Sequence, residues 1–216
     1  MKKAILFDLD GTLWDSAAGV SRAWSAVMAE NGKPEGISVE GVHTLMGKQM
    51  DEIARRLFPE HTAAEQRRLM DLCGDREHEV LAAEGGVLYP RLAETLTALK
   101  KDYFLAIVSN CQSGYIETFL QAHSLWEYFD DRECYGNTEL SKGENIALVA
   151  RRNGLAAVYL GDTQGDCDAA HAAGVPFIHA AYGFGKVEGE LSIASFAELP
   201  QFLREHEREL WGGCEV

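Results

Sequence analysis

Short apolar runs that alternate with helical stretches limit this chain of 216 residues to a small set of folds. A first run at 3–7 and later runs at 103–108, 156–160 and 175–178 have the length and aliphatic content of buried parallel strands. A weaker run lies at 132–135. Strands separated by helices imply right-handed crossovers. We therefore predict an α/β fold with a doubly wound parallel sheet.

The segment 15–84 interrupts this alternation. Apolar residues recur in it at helical spacing, and no strand is expected there. We predict a small all-helical cap domain at 15–84, inserted after the first strand into a core domain formed by 1–14 and 85–216. The glycine pair at 85–86 suits a hinge at the second junction. The three apolar faces of the cap comprise Val20, Trp24, Val27 and Met28; Met50, Ile53, Ala54 and Leu57; and Leu69, Leu72, Cys73 and Val80.

The amino-acid composition argues against two classes of binding partner, nucleic acids and membranes. With 34 acidic and 20 basic residues, the formal net charge is −14, and such a surface repels nucleic-acid phosphates and anionic lipids. The N-terminal apolar stretch stops at Asp8, which makes it short for a signal peptide, and no run approaches the length of a membrane span. The five cysteines, which include Cys214, form no Cys-x-x-Cys pair. We expect reduced thiols in a cytoplasmic protein without nucleic-acid or membrane partners.

Two carboxylates, Asp8 and Asp10, follow the first run at alternate positions. Side chains two residues apart on an extended chain point to the same side, so the pair would converge at the end of the strand and one pKa would rise. Gly11 then allows a sharp turn. A hairpin is disfavoured by the helical spacing that follows, and a calcium loop by Thr12 and Gly19 at its fifth and twelfth positions. The pair indicates metal binding or proton transfer.

Two further motifs suit a phosphate group. Ser109 and Asn110 follow the run 103–108 and offer a hydroxyl, an amide and backbone N–H groups, although both residues are also common in turns. Ser141 and Glu144 form a predicted capping box that places Lys142 in the first turn of a helix. The helix dipole disfavours a cation there, so Lys142 is either beside an anion or exposed to solvent.

Another acidic motif follows the run 156–160. Asp162 is placed at the tip of the strand and Asp166 near the first turn of the next helix. Carboxylates gathered at the carboxyl ends of parallel strands favour a hard cation, and Mg²⁺ is the natural choice. The seven histidines show no metal-ligand spacing, and we interpret them as surface or packing residues.

The order of these motifs resembles that of the haloacid dehalogenase (HAD) superfamily, in its phosphatase branch with a helical cap after the first motif. The resemblance covers nearly the whole chain and is greatest to relatives of phosphoglycolate phosphatase. One departure is Gly143, where the family commonly has proline after the motif lysine. The motifs that carry the resemblance are Asp8-x-Asp10-Gly11-Thr12, Ser109-Asn110, Lys142 and Gly161-Asp162-x-x-x-Asp166.

The resemblance implies a role for each matched residue. Asp8 would be the nucleophile that forms an aspartyl-phosphate, and Asp10 the general acid and then the general base. Lys142 and Ser109 would neutralise and hold the phosphoryl group. The implied Mg²⁺ ligands are Asp8, Asp10 through its carbonyl, Asp162 and Asp166, with Asp166 supporting either the metal or Lys142. The implied phosphate or substrate contacts are Gly11, Thr12, Asn110 and, from the cap, Lys48, with Arg22 as a weaker candidate.

The predicted function is a Mg²⁺-dependent phosphatase that acts on a small phosphorylated metabolite, as a monomer or homodimer. The carboxylate at Asp10 disfavours the dehalogenase and phosphonate hydrolase branches of the superfamily, which lack it. Two alternatives stay open: a sugar-phosphate mutase similar to β-phosphoglucomutase, and a non-catalytic homologue that binds phosphate.

Overall fold

A six-stranded parallel sheet forms the centre of the protein, and the computed structural model describes residues 1–212. The strand order is β5-β4-β1-β6-β7-β8, so β1 lies near the middle. The predicted doubly wound α/β fold is confirmed. In chain order the elements are β1 (Lys2–Phe7), β2 (Trp14–Asp15), α1 (Ala17–Glu30), α2 (Val39–His43), α3 (Met50–Leu57), α4 (Ala63–Glu84), β3 (Val87–Leu88), α5 (Leu92–Leu99), β4 (Phe104–Ser109), α6 (Tyr115–Ala122), β5 (Asp131–Cys134), α7 (Tyr135–Thr138), α8 (Lys142–Arg152), β6 (Leu155–Gly161), α9 (Gln164–Ala172), β7 (Phe177–Ala180), β8 (Ser192–Ile193), α10 (Leu199–Glu205) and α11 (Glu207–Trp211).

Both faces of the sheet are buried in the protein interior. This explains why the strand sequences are continuous apolar runs rather than alternating apolar and polar residues. In β1, Ile5 and Phe7 belong to the apolar cluster on one face, whereas Ala4 and Leu6 belong to the cluster on the other. Strand β1 pairs with β4 on one side and with β6 on the other, so the carboxyl ends of these three strands are neighbours.

The segment before β3 is helical, as expected, apart from its two junctions. Helices α1 and α4 pack against each other through residues such as Val20 and Leu81. At the junctions β2 and β3 form a short antiparallel ribbon that the sequence did not predict, with Trp14 opposite Leu88. Leu72, expected on an apolar face, is 39% exposed.

The structure bears on two expectations from composition, which concern membrane-spanning segments and the state of the cysteines. Within residues 1–212, no helix has the length and apolarity needed to cross a membrane. Cys73, Cys111, Cys134 and Cys167 are free thiols, and Cys214 lies outside the described residues.

Candidate active site

The carboxyl ends of three adjacent strands bring the first, second and fourth motifs together. Asp8 directly follows β1, Ser109 ends β4, and Asp162 directly follows β6. All three residues are buried. This edge is where open parallel sheets bind ligands, because the strands end there and the helices begin.

Lys142 is buried between two of the acidic residues. Its Nζ donates to Asp8 Oδ1 at 2.8 Å and to Asp166 Oδ1 at 2.6 Å. The capping box of α8 is present, since Ser141 Oγ accepts from Glu144 N and the Glu144 side chain accepts from Ser141 N. Burial alone would lower the pKa of Lys142, but Asp166 and Asp8 outweigh it and raise the pKa well above its usual value. The side chain is therefore a fixed cation.

The oxygen atoms of Asp8, Asp162 and Asp166 fit a metal ion. One oxygen from each lies within 4.8 Å of the others. Asp162 Oδ2 accepts from Phe184 N at 2.8 Å, whereas the buried Oδ1 has no hydrogen-bond partner in the described part of the chain. Burial and then Asp166 raise the pKa of Asp162 to about 7. A buried oxygen without a donor is what a cation would satisfy, and carboxylates suit a hard one.

The two oxygens of Asp166 are already engaged. Oδ1 accepts from Lys142, and Oδ2 accepts from Thr163 N at 3.0 Å and Thr163 Oγ1 at 2.6 Å. Of the two supporting roles that the resemblance implied for Asp166, these contacts favour holding Lys142. Asp8 differs, because only its Oδ1 is held by Lys142. Burial and the charge of Asp166 raise the pKa of Asp8, although Lys142 opposes them.

The carboxyl of Asp10 is held by two hydroxyl groups. Its Oδ1 accepts from Ser16 Oγ at 2.6 Å and from Tyr115 OH at 3.0 Å. Burial raises the pKa of Asp10 to about 6, while these two hydrogen bonds lower it. Strand β1 ends at Phe7, so both carboxylates follow the strand rather than lying on it, and Asp10 Oδ1 is held by the two hydroxyl groups. The convergence of Asp8 and Asp10, and the metal-ligand role that the resemblance implies for the Asp10 carbonyl, stay predictions.

Two glycines allow the first motif to approach Asp162. Gly11 has φ +84°, a left-handed conformation, and a Cβ there would lie 2.3 Å from Asp162 Oδ2. A Cβ at Gly183 would lie 2.3 Å from Asp162 Cβ. Thr12 beside them is fully buried, and its carbonyl accepts from Tyr182 OH at 2.8 Å. Any larger residue at 11 or 183 would push the two strand ends apart.

A cavity of about 40 Å³ separates these strand ends from the helical segment. Ser109 and Asn110 line its core side, and Asn110 Nδ2 donates to Gly47 O across it at 2.9 Å. Lys48 lines the helical side, with its Nζ 3.4 Å from Glu52 Oε1. Arg22 does not line this cavity; its exposed side chain pairs with Glu84.

The sequence reasoning missed a buried carboxylate in the same cavity, Glu77 of α4. Glu77 is 3% exposed and accepts from Trp24 Nε1 at 2.6 Å and from Gln112 Nε2 at 3.1 Å. Burial raises its pKa to about 8. The sequence contained one signal for this residue. Glu77 lies four positions from Cys73 and four from Leu81, so it shares the buried face of the helix with them. For Tyr115, the other missed partner, no local signal exists.

The comparisons with known proteins agree with this geometry. The family described as haloacid dehalogenase-like hydrolase matches residues 5–180. Phosphoglycolate phosphatase of Escherichia coli (strain K12) is 29% identical over 208 residues, covering 84% of this chain and 82% of that protein. The same enzyme of Salmonella typhimurium is also 29% identical, with the same coverage.

Solved structures show the same fold over nearly the whole chain. CbbY from Rhodobacter sphaeroides, in complex with phosphate, has 26% identity and a TM-score of 0.75, covering 92% of this chain and 96% of that one. A protein called a predicted phosphoglycolate phosphatase, from Haemophilus somnus, has 25% identity and a TM-score of 0.81, covering 93% and 97%. This chain belongs to the haloacid dehalogenase-like hydrolase family, and its assignment as a phosphatase-type hydrolase of that family is confirmed.

Proposed function

We propose that the protein is a Mg²⁺-dependent phosphatase that hydrolyses a small phosphomonoester through an aspartyl-phosphate on Asp8. The observation that carries this proposal is the position of Asp8, held by Lys142 at 2.8 Å and grouped with the unpartnered oxygen of Asp162. A carboxylate attacks a phosphate dianion only where positive charge offsets the repulsion. The site supplies one fixed cation and a set of oxygen ligands for a second.

The chemistry follows from three residues. An oxygen of Asp8 attacks phosphorus while the bond to the leaving oxygen breaks, and the carboxyl of Asp10 delivers its proton to that oxygen. Water then attacks the phosphorus, Asp10 accepts its proton, and the bond between phosphorus and Asp8 breaks to release phosphate. Ser109, which lines the same cavity, would donate its hydroxyl to a phosphoryl oxygen.

Mg²⁺ would be held by Asp8, Asp162 and the carbonyl of Asp10, and would supply positive charge at the phosphoryl group. Asp166 would keep Lys142 in place. Both cations act on the same carboxylate, so Asp8 would be ionised in the loaded enzyme despite its burial.

The helical segment 15–84 would act as a cap domain that covers the leaving group and excludes water. Two contacts between this segment and the core support this role: Asn110 Nδ2 donates to Gly47 O at 2.9 Å, and the His43 ring stacks on that of Phe184 with ring centroids 4.4 Å apart. A small cavity under a closed cap fits a compact leaving group. Two relatives are consistent with a small phosphorylated substrate. One is named phosphoglycolate phosphatase, and the other, CbbY, was solved with phosphate and, as a D10N mutant, with xylulose-(1,5)-bisphosphate.

Phosphate release tests the proposal. We expect Mg²⁺-dependent turnover of p-nitrophenyl phosphate and of at least one compound in a panel of glycolate, sugar and nucleoside monophosphates. Asp8→Asn should lower kcat more than about 10⁴-fold, because the amide is not a nucleophile. Asp168→Asn is the matched control, since the exposed Asp168 contacts Gln164 on the solvent side of α9.

Two results would refute the proposed reaction. One is turnover that persists in Asp8→Asn at the rate of the unaltered enzyme; the other is an absence of Mg²⁺-dependent phosphate release from the whole panel. Conversion of β-glucose 1-phosphate to the 6-phosphate in the presence of an activating bisphosphate would instead identify the mutase.

A further inference from the structure

A second group of potential metal ligands includes two residues of α9, the helix that also carries Asp166. Cys167 and His171 are four residues apart, so both side chains lie on one face of the helix. Glu190 reaches them from the segment between β7 and β8. Cys167 is buried, His171 is exposed and Glu190 is half-buried. His171 was interpreted from the sequence as a surface or packing residue, and its four-residue spacing from Cys167 was not considered.

The distances within the group match the edges of a tetrahedron around zinc. Cys167 Sγ lies 3.6 Å from Glu190 Oε1 and 4.0 Å from His171 Nε2, and His171 Nε2 lies 3.4 Å from Glu190 Oε1. Bond lengths of about 2.3 Å to sulfur and about 2.1 Å to nitrogen and oxygen give tetrahedral edges of about 3.6 Å and 3.4 Å. Two of the three edges already agree, and the third needs a movement of a few tenths of an ångström in an exposed imidazole.

The surroundings also suit a cation with an open position. His171 and Glu190 line a cavity of about 320 Å³ that also contains Glu209, so the space in front of the group is acidic. The segment that carries Glu190 is attached to strand β7, because His179 N donates to the carbonyl of Leu191, the next residue, at 2.7 Å. A water molecule in the cavity could fill a fourth position.

We propose that Cys167, His171 and Glu190 form a binding site for Zn²⁺ or a similar borderline-soft divalent ion, separate from the catalytic site. The ligand set assigns the class of metal, because thiolate and imidazole favour zinc and cobalt(II) over Mg²⁺, which prefers oxygen alone. On binding, the metal–sulfur bond replaces the S–H bond of Cys167, and the proton leaves to solvent. The site would tie α9 to the loop before β8 and stabilise that edge of the sheet.

Cobalt(II) provides a test that the catalytic acids cannot imitate. The protein is treated with a chelator, loaded with excess Mg²⁺ and titrated with Co²⁺, and the near-ultraviolet thiolate-to-cobalt absorption is recorded. We expect one equivalent of this absorption, and its displacement by Zn²⁺. An all-oxygen site gives no sulfur band, so the readout is independent of the proposed phosphatase reaction and of Asp8→Asn.

Variants decide which residues bind the metal. His171→Ala should weaken Co²⁺ binding more than about 100-fold, since even residues that only support a ligand contribute about 10- to 100-fold; Cys167→Ser should abolish the band. His206→Ala is the matched control, because His206 Nδ1 lies 3.1 Å from Glu209 Oε2 in a similar pair without a cysteine.

The behaviour of His171→Ala distinguishes a metal site from a general effect on folding or activity. His171 is exposed, so its variant should fold and keep the Mg²⁺-dependent activity of the unaltered enzyme. Zn²⁺ should raise the Tm of the unaltered protein and leave that of His171→Ala unchanged. A titration without thiolate absorption, or one with the same affinity in His171→Ala, would overturn the proposal.

Discussion

Buried carboxylates lie on both sides of the boundary between the strand ends and the helical segment, but they are neutralised differently. The core wall comprises the motif residues at the strand ends, of which Asp10, Ser109 and Asn110 line the cavity, and the helical wall comprises the cavity-lining residues of the helical segment, among them Lys48 and Glu77. On the core wall Asp8 and Asp166 share Lys142, and Asp162 leaves one oxygen open. On the helical wall Glu77 is held by two neutral donors, the indole of Trp24 and the amide of Gln112. A carboxylate beside a cation can stay ionised when buried, whereas one beside neutral donors tends to keep its proton. The core wall is thus built for charge, and the helical wall for a polar but uncharged contact.

Removing the cation from the core wall should have the broadest effect, on both stability and turnover. Lys142→Met keeps the volume but leaves Asp8 and Asp166 buried without compensation. We expect a loss of about 3–5 kcal/mol in the free energy of unfolding and a fall of about 10²- to 10³-fold in kcat. Urea denaturation and phosphate release measure the two effects. Lys101→Met, at an exposed position, should change neither; a stable and active Lys142→Met variant would contradict the charge argument.

The proton of Asp10 should appear in the pH dependence of phosphoryl transfer. The pKa of Asp10 is raised to about 6, so its acid form declines as the pH rises through that value. The rate of the first step, measured in a single turnover, should therefore fall above pH 6. Asp10→Asn should lower that rate by about 10²- to 10⁴-fold and remove this pH dependence. A variant that retains the same pH profile would show that another group titrates.

Glu77 should make the stability of the helical wall depend on pH. Its pKa is about 8 in the folded protein against about 4.3 for an ordinary glutamate, so between these values the folded state binds more protons than the unfolded state. The contribution to stability is complete below pH 4.3 and is lost as the pH rises through 8. Glu77→Gln should remove this loss, which amounts to about 4 kcal/mol between pH 5 and pH 9, because each of the three pH units below the folded pKa of about 8 contributes about 1.4 kcal/mol.

Thermal unfolding across this pH range measures the effect, and Glu79→Gln, exposed on the same helix, is the matched control. If Glu77→Gln and Glu79→Gln showed the same slope, the helical wall would not differ from the core wall in the way proposed.

The smallest effect is expected from Lys48, the one cation that lines the helical side of the cavity within residues 1–212. Lys48 pairs with Glu52 and lines the cavity, so Lys48→Ala should raise KM by about five- to tenfold with kcat nearly unchanged. Steady-state kinetics with the best substrate of the panel measures this. Arg22→Ala removes an exposed charge that is paired with Glu84 and should leave KM as it was. Equal effects of the two substitutions would remove Lys48 from the substrate site.

The core wall was more predictable than the helical wall, for a physical reason. Each polar group of the core wall directly follows an apolar run or opens a capped helix, and parallel strands end at one edge, so Asp8, Ser109 and Asp162 could be placed together from the sequence. The position of Lys142 in a first turn left two alternatives, an anionic neighbour or exposure to solvent, and the structure shows the first, between Asp8 and Asp166. Glu77, in contrast, meets Gln112 only because α4 packs against α6 and the turn before it, and no local pattern specifies that packing.

The sequence by itself determined the alternating α/β architecture, the helical insertion and the motif residues, since periodicity and turn chemistry are local properties. Only the tertiary structure decided that the carboxyl of Asp10 meets Ser16 and Tyr115, that Asp166 holds Lys142, and that Cys167 and His171 meet Glu190. Those partners are brought together by packing between segments distant in the chain, and burial and charge at such contacts depend on the whole fold rather than on neighbouring residues.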